Sequence, residues 1–169
     1  DYSVAFTLTG TQTYYIDRYI SNTNTVTATL QHLPYDSAAL ANPLLYTVTV
    51  GGTGGLFLLQ RVLNWELLVN RPITYSCLVK SNKPINIYLN VAGDQVYYSN
   101  KHSGSGLYEL LSVTVTPALT TIAITCGVSN YDGAFNALAV SDYMEVGRDK
   151  LELGSVFTGF EYESYEETK

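Results

Sequence analysis

A chain of 169 residues has the size of one domain and can bury a substantial core. With 9 Lys+Arg against 15 Asp+Glu and no basic cluster, it lacks the concentrated positive charge that a nucleic-acid partner requires. Only 14% of residues are charged while 46% are hydrophobic, which excludes a disordered chain, and no apolar run reaches the ~20 residues of a membrane-spanning helix, so no membrane insertion is expected.

Alternation of apolar and polar residues, the mark of half-buried strands, dominates from the start. Residues 4–8 predict a first strand, Gly10-Thr11 a turn, 13–20 a second extended stretch and 26–30 a third strand. Residues 35–43, rich in Pro, Asp, Ser and Asn, read as a loop, and 44–50 as a β-branched strand. The glycine run 51–55 has no G-K-[ST] after it and is followed by another strand-like run, 56–62. It is therefore read as a flexible hairpin connection and not as a phosphate cradle.

Residues 64–69 are the one helical scrap, and Trp65, beside Leu63, Leu67 and Leu68, reads as core or edge packing, with a sugar-stacking face as the alternative. Strands follow at 72–80, 84–91 and 95–99, with Gly93-Asp94 turning between the last two. Residues 100–106 read as a mobile Gly/Ser loop with a solvated His102. Further strands fall at 107–116, 119–128 and 137–146, and Lys150 opens a closing segment. Roughly ten to twelve short strands with Gly, Asn and Asp turns predict an all-β fold, an antiparallel sandwich or barrel. The single domain is placed at 1–161, with 162–169 as an acidic C-terminal tail or linker.

No catalytic pattern is present. His32 and His102 sit in no metal or triad spacing, and no serine occupies a G-x-S-x-G elbow. Asp132 and Asp142 are the nearest approach to a carboxylate pair for glycoside cleavage, but surface acids are common on an acidic chain. Cys77 and Cys126 lie in apolar strand patterns without metal spacing and read as buried free thiols. The chain is read as a non-enzyme.

Four blocks resemble a known family. Residues 73–81 (ITYSCLVKS) are similar to the "tYTlSxyvKs" strand of carbohydrate-binding-module-like sandwiches, and 102–114 (HSGSGLYELLSVT) to the "G-x-W-E-x-L-S-V-T" strand that follows it. Residues 15–19 (YIDRY) look like the "aDRW" opening. The ending LELGSVFTGFE, 151–161, resembles the version found in bacteriophage tail-fibre and other virion proteins. Tyr19 and Tyr108 stand where that family commonly has Trp, Gly159 where Pro is usual, and Tyr162-Glu163 where Arg often follows.

The resemblance implies a jelly-roll β-sandwich serving as a non-catalytic module of a phage virion protein such as a tail fibre, spike or capsid appendage. It implies a virion-surface or tail location, extracellular when mature. The partners implied are other virion subunits, a homo-oligomer included, and host-surface polysaccharide. The alternative is a purely structural spacer or assembly domain without sugar binding.

Sugars are held by aromatic faces flanked by amides and carboxylates, and the 15 tyrosines supply such faces at low entropic cost. Candidate glycan-binding residues are Tyr88, Tyr97, Tyr98 and Tyr131, with Asn86, Asn90, Gln95 and Asp132 as polar partners. Asn86, Tyr88 and Asn90 share one strand face, whereas Tyr97 and Tyr98 cannot, so one of those two is expected in the core. No organic cofactor is expected. The one metal to name is a structural calcium of the kind such sandwiches often carry. Its candidate ligands, as the resemblance implies them, are Asp17, Asp142 and Glu152.

Overall fold

Alternation sorts the described strands from Thr27 onward into a core side and an outer side. The computed structural model describes residues 6–8, 13–16, 19–23 and 26–160. Asp17, Glu161 and the acidic stretch 162–169 lie outside them. The described residues form an antiparallel jelly-roll β-sandwich, the fold class expected. One sheet runs in the order β1 (Phe6–Leu8), β4 (Thr27–His32), β5 (Leu44–Val50), β12 (Tyr143–Leu153), β7 (Ile73–Ser81), β10 (Tyr108–Val115). The other runs β2 (Thr13–Ile16), β3 (Tyr19–Thr23), β6 (Leu56–Arg61), β11 (Ala123–Ser129), β8 (Asn86–Ala92), β9 (Val96–Tyr98).

Between the sheets lies one apolar layer. Tyr46 and Val48 of β5, Tyr75, Cys77 and Val79 of β7, and Val113 of β10 face Leu58 of β6, Ile87, Leu89 and Val91 of β8, and Cys126 of β11. The two cysteines are buried free thiols, as expected, and burial pushes the Cys77 thiol well up. Among the described residues, no helix is long and apolar enough to cross a membrane.

Several expected boundaries move. The stretch 13–20 is a hairpin, β2 against β3, with Ile16 opposite Tyr19. The glycine run 51–55 is not a hairpin connection, because β5 and β6 belong to different sheets. It crosses the open end of the sandwich and is pinned there: Gly52 and Leu138 exchange both backbone hydrogen bonds at 2.9 Å. Residues 137–142 are not a strand. The last strand instead begins at Tyr143 and runs without interruption through the expected closing segment to Leu153. Its register against β7 shifts between Val146 and Asp149. The cause is a close neighbour: a Cβ on Gly147 would lie 2.7 Å from the Ala39 carbonyl oxygen, and Arg148 N–H donates to that same oxygen.

His102 is not solvated but fully buried. Its Nδ1 accepts from Gly104 N–H at 2.9 Å and its Nε2 lies 3.0 Å from Leu107 O. The loop it was assigned to is bonded down at both ends, His102 N–H to Ile85 O and Gly106 N–H to Ser81 O. Accepting at Nδ1 makes Nε2 the protonated nitrogen, so the imidazole is a neutral structural knot.

The outer faces of the two sheets differ in kind. On the first, hydroxyls pair across strands, Thr74 with Thr114 at 2.8 Å and Ser76 with Ser112 at 2.9 Å. Beside them Lys80 stands between Tyr108 and Glu145, with Lys80 Nζ 2.8 Å from one Glu145 oxygen and Tyr108 donating to the other. Burial, then the Glu145 bond, pushes the Tyr108 phenol up. The second sheet turns aromatic residues outward.

Candidate functional site

The outer face of the second sheet carries a groove of about 470 Å³. Strand register builds its floor. Leu59 of β6 lies opposite Gly127 of β11, Gly127 opposite Tyr88 of β8, and Tyr88 opposite Tyr98 of β9. One row thus crosses four strands, with a residue lacking a side chain in its middle. The next row holds Thr125, Asn90 and Val96, and the row on the other side holds Phe57 and Ser129. Tyr88 is buried in the floor, and its phenol is pushed up by that burial. Tyr98 is half-buried and its phenol is raised for the same reason.

The loop after β11 supplies a rim. Tyr131 and Phe135 project from it and their rings are tilted together at 4.7 Å between centroids. Phe57 meets Phe135 edge-on at 6.0 Å, and Tyr98 meets Tyr131 at 6.2 Å. The result is a continuous aromatic arc, Phe57, Phe135, Tyr131, Tyr98, standing around the groove. These contacts fall in the range at which tilted and edge-to-face rings attract.

Buried amides fix this rim. Asn130 is 1% exposed; its Oδ1 accepts from Leu56 N–H at 2.8 Å and its Nδ2 donates to Gly54 O and Asn136 O. Asn86, fully buried, donates through Nδ2 to Tyr131 O at 2.8 Å. Gly55 is required beneath the arc, since a Cβ there would lie 2.2 Å from the Phe57 ring and 2.6 Å from the Phe135 ring.

The structure divides the eight predicted glycan residues. Tyr88, Asn90, Tyr98 and Tyr131 line the groove. Asn86 shares their strand face but lies beneath, holding the rim. Tyr97 faces the other way: it pairs with Leu89, packs against the core, and donates its hydroxyl to Asp94 at 2.6 Å. That bond raises its phenol above the ordinary range. Gln95 stands exposed at the β8–β9 turn, and Asp132 is held by Lys101 at 2.5 Å; neither lines the groove. Phe57, Leu59, Phe135, Thr125 and Ser129 were not singled out from sequence. Phe57 and Leu59 alternate on the outer side of β6, and Phe135 is a large aromatic inside a turn cluster; both were available signals.

The calcium candidates do not meet. Asp142 precedes β12 and Glu152 lies near its far end, about 30 Å along an extended chain. Asp142 accepts from Ala139 N–H at 2.7 Å and from Asn82 at 3.2 Å, with Lys83 3.5 Å away. Glu152 accepts from the Thr158 hydroxyl at 2.5 Å and its N–H at 2.9 Å, and pairs with Lys150 at 3.0 Å. Those bonds, the hydroxyl first, hold its carboxyl below the usual range. Among the described residues, no group of three or more His, Cys, Asp or Glu lies close enough to hold a metal ion.

A tailspike shares this architecture. The chain is similar to the enzymatically active domain of tailspike protein 4 from bacteriophage CBA120, with a TM-score of 0.59 at 8% identity, covering 82% of this chain and 20% of that one. It thus spans about a fifth of that chain's length. A family 4 carbohydrate-binding module gives a TM-score of 0.47 at 9% identity over 79% of this chain and 78% of its own. A family 29 carbohydrate-binding module gives 0.46 at 12% over 89% and 88%. At these identities the likeness concerns the fold. No family model matches the chain, and no curated protein sequence does.

Chemically, the described lining is suited to holding a ligand with both apolar faces and hydroxyl groups. Among the described residues, its lining is made of aromatic, aliphatic, amide and hydroxyl side chains, without a carboxylate, histidine or cysteine. Glycoside cleavage needs a paired acid and base at the bond, and general acid–base chemistry of other kinds needs a titratable group within hydrogen-bond reach.

Proposed function

We propose that this chain is a non-catalytic glycan-binding module whose site is the aromatic groove on the second sheet. The observation that carries the reading is the arc of Phe57, Phe135, Tyr131 and Tyr98 around a floor of Tyr88, with Asn90, Thr125 and Ser129 as its polar groups. Flat apolar faces take the C–H side of a sugar ring, and the neutral amide and hydroxyls bond its hydroxyl groups without asking for charge.

In this reading the module belongs to a phage virion protein, a tail fibre, spike or capsid appendage, and attaches the particle to host-surface polysaccharide. Two things support that placement: the closing block 151–161 resembles virion proteins, and a phage tailspike contains a stretch of similar fold. Other virion subunits, including further copies of this chain, are its proposed neighbours. The rival reading, a spacer or assembly domain, draws on the exposed Leu67, Leu119 and Ile122, which lie outside the strands at the end of the sandwich away from the rim.

The test is binding of the purified chain to host envelopes with and without periodate oxidation, followed by a glycan array. Binding that disappears on periodate treatment and in Tyr98→Ala supports the groove. Binding that survives both, or a chain that binds no envelope or glycan while associating through Leu67, Leu119 and Ile122, overturns it in favour of assembly.

A further inference from the structure

The groove does not end at Thr125. Arg61 is two residues beyond Leu59 on the same side of β6 and lies opposite Thr125. Thr125 borders both the first groove and a second, open cleft of about 500 Å³ lined by Arg61, Leu63, Trp65 and Glu66 among others. The chain is led there by its own backbone. Val62 N–H bonds Ile124 O at 2.9 Å, which keeps the end of β6 against β11. Asn64 then adopts a left-handed φ of 52° and turns the chain into the short 3-10 helix Trp65–Leu68. Trp65 packs against the core on one side and is half-buried, so the rest of its indole is open to the cleft.

We propose that this second cleft is a further subsite for the same saccharide chain, with Trp65 as its stacking face and Arg61 and Glu66 as its polar readers. The inference rests on the glycan reading of the first groove. What favours one continuous ligand over an unrelated occupant is the shared Thr125 and the shared strand face. From Ser129 to Ala123 the track follows β11 for about 20 Å, the length of several pyranose units laid end to end. Trp65 offers the broadest flat apolar face the chain has, and Leu63 beside it is 83% exposed. Arg61 has no ion-pair partner among the described residues. Its planar fork is therefore available to a pair of vicinal sugar hydroxyls or to the carboxylate of an acidic sugar. Glu66, exposed, accepts from hydroxyls. The shared Thr125 and the length of the track along β11 make the ligand class a linear oligosaccharide longer than one groove can hold.

Chain length separates the two subsites. Titration calorimetry would use manno-, cello- and xylo-oligosaccharide ladders from disaccharide to octasaccharide, extended to the glycans that bind on the array. In the wild type, affinity should rise with length and level off once both clefts are filled. Trp65→Ala should remove that rise, weakening the longest members roughly tenfold and leaving the disaccharide unchanged. Tyr98→Ala should weaken every length. Because Trp65 also packs against the core, Arg61→Gln, an exposed change, is the second variant; it should lower affinity for long chains alone. If Trp65→Ala, shown folded by its melting curve, and Arg61→Gln both bind long chains like the wild type while Tyr98→Ala does not, the second subsite is wrong and the first groove stands. If the wild type binds no member of any ladder and no glycan on the array, the groove reading falls and this inference falls with it.

Discussion

Tyr88 and Tyr98 stand directly opposite each other across the β8–β9 pair, both on the outer side of their sheet. One is buried in the groove floor and the other forms its wall. Cross-strand neighbours interact directly, but the buried floor position of Tyr88 and the half-exposed wall position of Tyr98 give the two separable parts. Tyr98→Ala removes wall and stacking face but leaves the core untouched. Its expected effect is a roughly tenfold loss of glycan affinity, with a Tm change no greater than about 4 °C. Tyr88→Ala opens the floor itself and should lose both affinity and stability. Calorimetric titration paired with thermal melts distinguishes the two; equal Tm losses would mean that Tyr98 is a packing residue.

Asn130 holds the rim through a single buried side chain. Truncating it to Ala leaves the Leu56 N–H and the Gly54 carbonyl without their partners in a place closed to water. Buried groups stranded in this way cost about 1–3 kcal/mol each. Asn130→Ala should therefore destabilise the fold by roughly 2–6 kcal/mol and weaken glycan binding as well, because Tyr131 and Phe135 lose their support. Urea denaturation would measure the first effect; a change under 1 kcal/mol would show that the loop is held some other way.

How far the site is legible in the sequence depends on how far apart its parts are. In β8 the period of two assigns Asn86, Tyr88 and Asn90 to one face and Ile87, Leu89 and Val91 to the core, which is what the structure shows. For Tyr97 and Tyr98 the same rule says that only one can face outward. The choice is made by register, because Tyr98 lies opposite Tyr88 and Tyr97 opposite Leu89. Phe57 and Phe135 meet only because β6 lies beside β11, a long-range pairing that no local pattern announces. The alternating pattern stops at Gly147 although the strand continues to Leu153, for the same reason: the partner that demands a glycine there, Ala39, is remote in sequence. His102 shows the reverse case. Its partners Gly104 and Leu107 are local, but a Gly/Ser-rich stretch looks solvated until its backbone geometry is known.

Removing divalent ions should not matter to the described part of the fold. The carboxylates of Asp142 and Glu152 are each satisfied by protein donors, and they stand too far apart to share an ion. A structural calcium adds stability only where oxygen ligands converge. The expected Tm in excess EDTA equals that in excess calcium. A rise of several degrees with calcium would show that an ion binds the folded chain and stabilises it.

Acid should weaken the sandwich through two carboxylates. Glu109 is held below its ordinary value of 4.5 chiefly by the Ser103 hydroxyl, aided by Ser103 N–H and the Ser105 hydroxyl. Glu152 is held below the same value by the Thr158 hydroxyl first, then Thr158 N–H and Lys150. In both, the folded-state pKa lies below the unfolded one. The stabilisation is therefore complete above the ordinary carboxylate range and is lost as pH falls through the depressed values. Melting temperature should be level from neutral pH down to about pH 5 and decline below it. In Glu109→Gln and Glu152→Gln the neutral-pH Tm should be lower and the decline shallower, because the amide cannot titrate. A double variant with an acid limb as steep as the wild type would show that other carboxylates govern the transition.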